Sequence, residues 1–451
     1  MLQQRKSIST FTGHSAPAGF MTRKWTGLIV PALGFGMALS VVSARGQAAS
    51  FCVNPAASNG CKATIGAAIA AASANDTINV APGTYTESVM IGKPLSLIGA
   101  DATKVIINAA GLGVGIYVDG IDNPKLTGVL VSGFTVQNAN FEGILVTAAT
   151  GITISGNIVQ KNNVSLVLAK GTTAASCPGI PAYDTSEGQD CGEGIHLNGV
   201  THSVVANNTV QNNSGGVLVS DDAGATHDNV ITGNTVMNNL FACGITLASH
   251  PAAALTASTM PLGVYNNTVI GNQVSGNGLN GVGAGAGIYA SVPGAASYSN
   301  VVINNVLTGN GLPGVAMHSH TPGQNISNNV VIGNTISGNG ADNADATTPG
   351  TAGINVFGVS TVTGTVIAGN TITGQAIDVA VNAPGSASVQ RNSLTSGIGV
   401  ANLNGAGAVN ADGNWWGCNN NPTFPIAGFA GCSSTLGAVS VNTWAAAVIT
   451  K

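Results

Sequence analysis

The chain carries little charge and few aromatic rings. Of 451 residues, 7% are charged and 4% are aromatic, and no lysine or arginine occurs between Lys170 and Arg391. Phosphate backbones are held by basic stripes, so this distribution excludes nucleic acid as a partner. Helical patterns are equally scarce: Ala63 to Ala74 is the single Ala-rich run, with Ile65 and Ile69 four apart on one face. Beyond residue 42 no apolar stretch has the length of a membrane span.

What charge there is lies unevenly. Five of the 13 Lys+Arg fall in the first 45 residues, leaving eight against 17 Asp+Glu, a formal charge of −9. Arg23-Lys24, the apolar run Gly27 to Val42 and the small residues through Gly46-Gln47-Ala48-Ala49 form a secretory signal pattern with cleavage after Ala48. Residues 1–48 are therefore assigned to a signal region, with Met21 an alternative start and a retained anchor the competing reading. The expected location is secreted, periplasmic or cell surface, with no integral membrane span after cleavage. Seven cysteines in an exported chain suggest three local disulfides, Cys52 with Cys61, Cys177 with Cys191 and Cys418 with Cys432. Cys243 is left over, and beside Gly244 it reads as a buried inert thiol in preference to a reactive or ligating one.

The abundant residues are Gly, at 63 copies, and apolar side chains, at 44%. A short phrase recurs: Gly156-Asn157-Ile158, Asn207-Asn208-Thr209, Gly233-Asn234-Thr235, Gly271-Asn272-Gln273, Asn304-Asn305-Val306, Gly333-Asn334-Thr335, Gly369-Asn370-Thr371, Arg391-Asn392-Ser393 and Gly413-Asn414-Trp415. Its Asn positions step by 51, 26, 38, 33, 29, 36, 22 and 22 residues. The bare unit is about 22 residues, and longer steps are insertions or a doubled unit. Each unit holds two or three short β-branched runs broken by Gly or Asn. One unit makes one turn of a coil, and coils stack in parallel at roughly 4.8 Å. The fold class is all-β: a parallel β-helix solenoid with an N-terminal capping helix. Asn in every coil tolerates a left-handed corner and can bond to the Asn above and below. Residues 49–100 are assigned to the N-terminal cap and first coils, 101–412 to the repeats, and 413–451 to a C-terminal cap with Trp415, Trp416 and Trp444.

The opening Asp76 to Ala100, with Pro82-Gly83-Thr84-Tyr85 and Leu97-Ile98-Gly99, the Gly-Asn-Thr ladder and the closing Asn414-Trp415-Trp416-Gly417 resemble the right-handed parallel β-helix proteins of the pectin-lyase-like superfamily, over about residues 52 to 445. The resemblance implies the handedness of the coil. It leaves function open, because the superfamily includes lyases, hydrolases, esterases, epimerases, adhesins and accessory proteins of metal-site assembly. Pectate lyases pair a calcium-binding acidic cluster with a basic residue that the middle of this chain lacks. Polygalacturonases share an acidic set with Gly-His-Gly and Arg-Ile-Lys; here only Asp221-Asp222 is present.

The remaining chemistry lies in a histidine column. Aligning the strands on Gly194, Gly216, Gly244, Gly287, Gly314 and Gly353 puts Asp222, His250 and His320 at one offset, with Asp222 and His250 about 5 Å apart along the axis. Alternation places His196, Thr246, Tyr289 and His318 on the outer face. His250, His320, Asp222, Tyr289 and His318 are the candidate catalytic residues, and His196, Asp221 and Tyr265 the candidate substrate contacts. They suit proton transfer in uronate epimerisation or β-elimination, or ligation of a transition metal, or no chemistry at all in solvated loop ends. Calcium is a further candidate at Asp184, Glu187, Asp190 and Glu193, which lack fixed oxygen spacing. No cofactor is required by the sequence. Tyr183, Tyr265, Tyr289 and Tyr298 are candidate sugar-stacking rings. Two functional classes follow: an exported polysaccharide-binding protein with lyase- or epimerase-type activity, its groove walled by insertions at 170 to 193, 248 to 264 and 338 to 352, or a non-catalytic structural or adhesive surface protein.

Overall fold

The protein is described here from a computed structural model covering residues 48–162, 192–251, 262–280, 283–418 and 431–449. The signal region, the Cys177 to Cys191 pair and Asp184, Glu187 and Asp190 lie outside the described residues. Residues 48–451 form one compact unit.

Short strands with one or two inward side chains cannot bury a core alone, so each coil stacks on the next. Gly215–Ser220, Val230–Thr232 and Thr235–Met237 are the three strands of one coil. They belong to three long sheets, which among the described residues have 12, 14 and 11 strands. We call these the outer-site sheet, the second sheet and the third sheet. The strands pair in parallel with their predecessors a coil away. In the second sheet only the central residue of each triplet points inward, giving the stack Val131, Ile154, Val205, Ile231, Val269, Val302, Val331 and Ile367. All of these are fully buried. Each contributes roughly 1.5–3 kcal/mol through removal of apolar surface from water.

Corners are made by two residues with divided labour. The residue before each ladder Asn takes the left-handed conformation, as at Gly156 (φ 64°), Asn207 (φ 55°), Gly233 (φ 63°) and Arg391 (φ 54°). The ladder Asn itself is not strained. Its amide joins coils: Asn234 Nδ2 donates to Asn272 Oδ1 at 3.0 Å, its backbone N–H donates to the same oxygen at 2.9 Å, and Nδ2 also reaches Val205 O at 2.9 Å. This corrects the expectation that the repeated Asn supplies the corner conformation. Asn157 bonds directly to Asn208 across 51 residues of sequence, so the long step is one coil carrying an insertion. Two further ladders run at the other corners, Asn162 through Asn339 and Asn229 through Asn329.

Both ends are closed. Helix α1 (Ile65–Ala71) buries Ile65, Ala68 and Ile69 against the first coils. Side chains of one coil hold both its termini: Glu87 accepts from the Ile65 and Gly66 N–H groups at 2.9 Å, and Lys93 Nζ donates to Ile69 O and Ala72 O at 3.1 and 2.8 Å. At the far end Trp416 is buried, and Trp444 packs on the core from the segment that pairs with Asn414. Disulfides Cys52–Cys61 and Cys418–Cys432 pin the two ends. No helix among the described residues is long and apolar enough to cross a membrane.

Candidate functional site

The outer-site sheet carries the candidate residues because its strands are longer, five or six residues, and so turn two or three side chains outward. Inward, Ile195, Val217, Ile245, Ala286, Val315 and Ile354 stack in register. Outward, one column reads Leu145, His196, Leu218, Thr246, Gly287, Ala316 and Asn355, and its neighbour reads Thr147, Asn198, Ser220, Ala248, Tyr289, His318 and Phe357. Gly287 therefore lies opposite Thr246, and Gly285 is the partner of Gly244 and Gly314. The sequence alignment on Gly287 is off by two residues, which moves Tyr289 from the level of His196 to that of His318. Tyr289 still faces outward, because a shift of two keeps the face.

Two hydrogen-bonded groups form on this face. In the first, His196 Nδ1 lies 3.1 Å from Glu142 Oε1 and its Nε2 2.8 Å from Ser220 Oγ. Ser220 Oγ is 2.8 Å from Asp222 Oδ2, and Asp222 Oδ1 is 3.0 Å from His250 Nδ1. Asp221 accepts from the His250 N–H at 2.9 Å and from Ser249 Oγ at 2.8 Å. The four bonds from Glu142 to His250 need four protons, whereas two neutral imidazoles and a serine supply three. All four are hydrogen bonds at once only with one additional proton on the chain. Burial pushes the His196 pKa down to about 3, against the pull of Asp222, and pushes Asp221 up to about 6 despite His250 and Ser249. These side chains are buried, contrary to the reading of solvated loop ends: His196 is 0% and His250 5% exposed.

The second group lies one and two coils further on. Tyr289 and His318 are adjacent, ring centroids 5.1 Å apart. His318 Nε2 bonds to Asp342 Oδ2 at 2.6 Å, and Asn355 Nδ2 donates to the same oxygen at 2.9 Å. Burial opposes the charged form of Asp342, yet the hydrogen bonds from His318, Asn355 and the Ala344 N–H hold its carboxyl below the usual range. Asp345 receives Asn355 and Asn382. His320 is exposed and meets His318 edge-on at 5.4 Å. Burial of part of its ring and the neighbouring His318 lower its pKa. Cys243 is buried, with its thiol 3.4 Å from the Tyr289 hydroxyl.

The expected column is present, in two parts. Ser249, Ala290 and Ser319 pair in register, so His250, Ser291 and His320 follow one another along the axis. Asp222 and His250 touch; His320 is two coils beyond His250 and joins His318 instead. Tyr265 is stacked between His227 and Tyr298, so both of its faces are occupied, and it is not a sugar-stacking ring. Glu142, Ser220, Asp342 and Asn355 were not legible as site residues. Among the described residues, no group of three His, Cys, Asp or Glu side chains is arranged to hold a metal ion.

Residues 99–291 match the family model described as a right handed beta helix region. The catalytic domain of a GH87 alpha-1,3-glucanase, solved with tetrasaccharides, is similar in structure with a TM-score of 0.56 at 12% identity, over 82% of this chain and 64% of that one. The mannuronan C-5 epimerase AlgE4 A-module of Azotobacter vinelandii aligns at 17% identity and TM-score 0.47, over 76% of this chain and 92% of its own. Alginate lyase from Paenibacillus sp. str. FPU-7 aligns at 15% and 0.45, over 70% and 96%. No curated protein sequence matches significantly. With the parallel register and the stacked Asn corners, the family match and the glucanase likeness are those of one architecture: the chain has the right-handed parallel β-helix fold.

Proposed function

We propose that this is an exported protein that binds a polysaccharide along the outer-site sheet and moves a proton on its sugar ring, in the manner of a lyase or epimerase. The observation that carries the reading is the Asp342–His318–Tyr289 arrangement. Asp342 engages Nε2 of His318 at 2.6 Å, which fixes the ring and leaves Nδ1 as the basic atom; among the described residues Nδ1 has no hydrogen-bond partner. A base oriented by a carboxylate, next to a phenol, is a pair built for removing and returning a proton. His318 takes the proton α to a uronate carboxylate, and Tyr289 donates to the leaving oxygen or to the opposite ring face. His320, kept neutral by its lowered pKa, offers the substrate carboxylate a hydrogen bond where no lysine or arginine is present. The similar glucanase domain was solved with tetrasaccharides, which agrees with a glycan as the substrate class. The signal pattern and the two disulfides agree with export.

The test is incubation of the full chain with alginate, pectate and neutral glucans, followed by proton NMR of unsaturated ends and uronate stereochemistry. His318→Gln and Tyr289→Phe should each lower the rate by about 10²–10⁴-fold. No product from any polymer retires the enzymatic reading. The second reading, a non-catalytic surface protein, is favoured by the first group: its His196 is fully enclosed and remains neutral, which suits a polar network that ties four coils together.

A further inference from the structure

The insertion that delivers Asp342 to His318 leaves the corner at Gly340 and returns at Ala352. Its base is closed by the Ala352 N–H, which donates to Gly340 O at 3.3 Å, and by an antiparallel bridge between Ala341 and Thr351. Two turns of one kind follow each other inside it. The Asp342 carboxylate accepts from the Ala344 N–H at 3.0 Å and the Asp345 carboxylate from the Thr347 N–H at 3.2 Å, each closing its own backbone two residues on. Asp345 has further partners. Its Oδ1 also accepts from Thr347 Oγ1 and from Asn382 Nδ2, both at 2.7 Å. Its Oδ2 accepts from Thr348 Oγ1, and from Asn355 Nδ2 at 3.2 Å. Neutral donors therefore occupy every lone pair of this buried carboxylate, and none is left for a substrate or a cation.

The two asparagines lie on successive strands of the outer-site sheet. Asn355 and Phe357 pair with Ala316 and His318 on one side and with Ala380 and Asn382 on the other. The Asn355 amide gives one hydrogen to Asp342 Oδ2 and the other to Asp345 Oδ2, so it sets the spacing of the two carboxylates. Asn382 then ties Asp345 to the following coil. The consecutive turns stiffen the segment from Asp342 to Thr347, so fixing Asp345 fixes Asp342 three residues earlier. Asp342 in turn holds the ring of His318 through Nε2 at 2.6 Å. We infer that Asp345 is a positioning residue: clamped by Asn355 and Asn382, it keeps the insertion on the sheet so that Asp342 orients His318. Among the described residues no hydrogen bond joins Asp345 to His318 directly. Its role in catalysis rests on the reading of His318 as the base; its effect on the His318 ring does not.

The measurement is the imidazole N–H region of the proton NMR spectrum of the full chain. A short bond to a buried carboxylate holds the His318 Nε2 proton downfield and slows its exchange with water. His318→Gln identifies the resonance by removing it. Asp345→Ala and, separately, Asn382→Ala should each raise the exchange rate of that proton by at least about tenfold, with the far-UV circular dichroism of the parent. Asn382 is half-buried and two coils from His318, so its effect on the ring runs through Asp345. Asn208→Ala, which breaks bonds of a distant rung of the ladder, should leave the His318 proton as in the parent. Where the parent converts a polyuronate, Asp345→Ala and Asn382→Ala should lower kcat by about 10–10²-fold with KM within about twofold. No product from the parent removes the catalytic reading alone, and the exchange rates still decide the positioning. Parent-like exchange in both Asp345→Ala and Asn382→Ala, equal acceleration in Asn208→Ala, or absence of the resonance from the parent spectrum overturns the inference.

Discussion

Asp222 and His250 are 28 residues apart in sequence and 3.0 Å apart in space, Oδ1 to Nδ1, while the adjacent Asp221 takes the His250 backbone N–H. Two consecutive carboxylates of one coil thus grip a single residue of the next. Because Asp222 is fully enclosed, removing the imidazole takes the partner from a carboxyl oxygen that water does not reach. His250→Ala should cost about 3–5 kcal/mol, read as a lowered thermal midpoint at pH 7. A midpoint unchanged from the parent would show the pair to be slack.

Asp378 sets a pH dependence of opposite sign to most carboxylates. Burial pushes it up to about 7, against hydrogen bonds from the Ser396 hydroxyl and N–H. The unfolded value is about 3.9, so between the two the folded state binds more protons, and stability falls as pH rises. The contribution is fully present below about pH 4 and lost by about pH 7. Asp378→Asn removes the titration. Its thermal midpoint should exceed that of the parent at pH 8 and converge with it at pH 4; parallel curves across that range would refute the assignment.

His196 acts in the other direction. With its pKa at about 3 folded and about 6.5 unfolded, it is neutral in the native state, so its contribution is lost as pH falls from about 6.5 towards 3. Nitrogen-15 chemical shifts of His196 should remain those of a neutral ring at pH 5. A charged His196 at that pH would place the additional proton of its network on the imidazole.

The Asn ladder carries the third stability prediction. Asn272 accepts two bonds from Asn234 and donates to Asn305 and to Ile231 O. Asn272→Ala strands the Asn234 N–H and amide in a buried column and should cost about 3 kcal/mol. Hydrogen exchange should accelerate most in the coils on either side. Uniform exchange throughout the solenoid would mean that coils do not open separately.

Helix α1 is held by charge at both ends. Seven residues are too few for stability in isolation. Glu87→Gln should lower the thermal midpoint through a loss of about 1 kcal/mol, and Lys93→Met by a similar amount, each by uncovering terminal N–H or C=O groups. Cap variants with parent-like midpoints would show that apolar packing by Ile65 and Ile69 is sufficient.

The solenoid was legible because a corner that must repeat leaves a residue that must repeat. Asn157, Asn208 and Asn234 mark it, and their spacing matches the bonded pairs one for one. The two other ladders were masked by variation in the residue before the Asn, which is Lys161, Asp228, Asn266 or Ser299 as readily as Gly. The Asp222–His250 contact followed from register, which a period of two makes robust. Tyr289 was misplaced because a run rich in Gly offers several anchors, and the true one is set by Ile288 facing Leu247 in the core. Asp342 was invisible for a different reason. It arrives from an insertion ahead of its strand, where no periodicity constrains a side chain, and only the fold brings it to His318.

The direct bond from Asn157 to Asn208 has a consequence for how such a protein changes over time. Rungs meet at the same corner whether the intervening chain is 22 residues long or 51. Each coil is therefore a socket: its loop can lengthen, shorten or be exchanged for another without shifting the rungs above and below. New walls can be raised around the outer face one coil at a time, and a graft at one rung leaves its neighbours where they were.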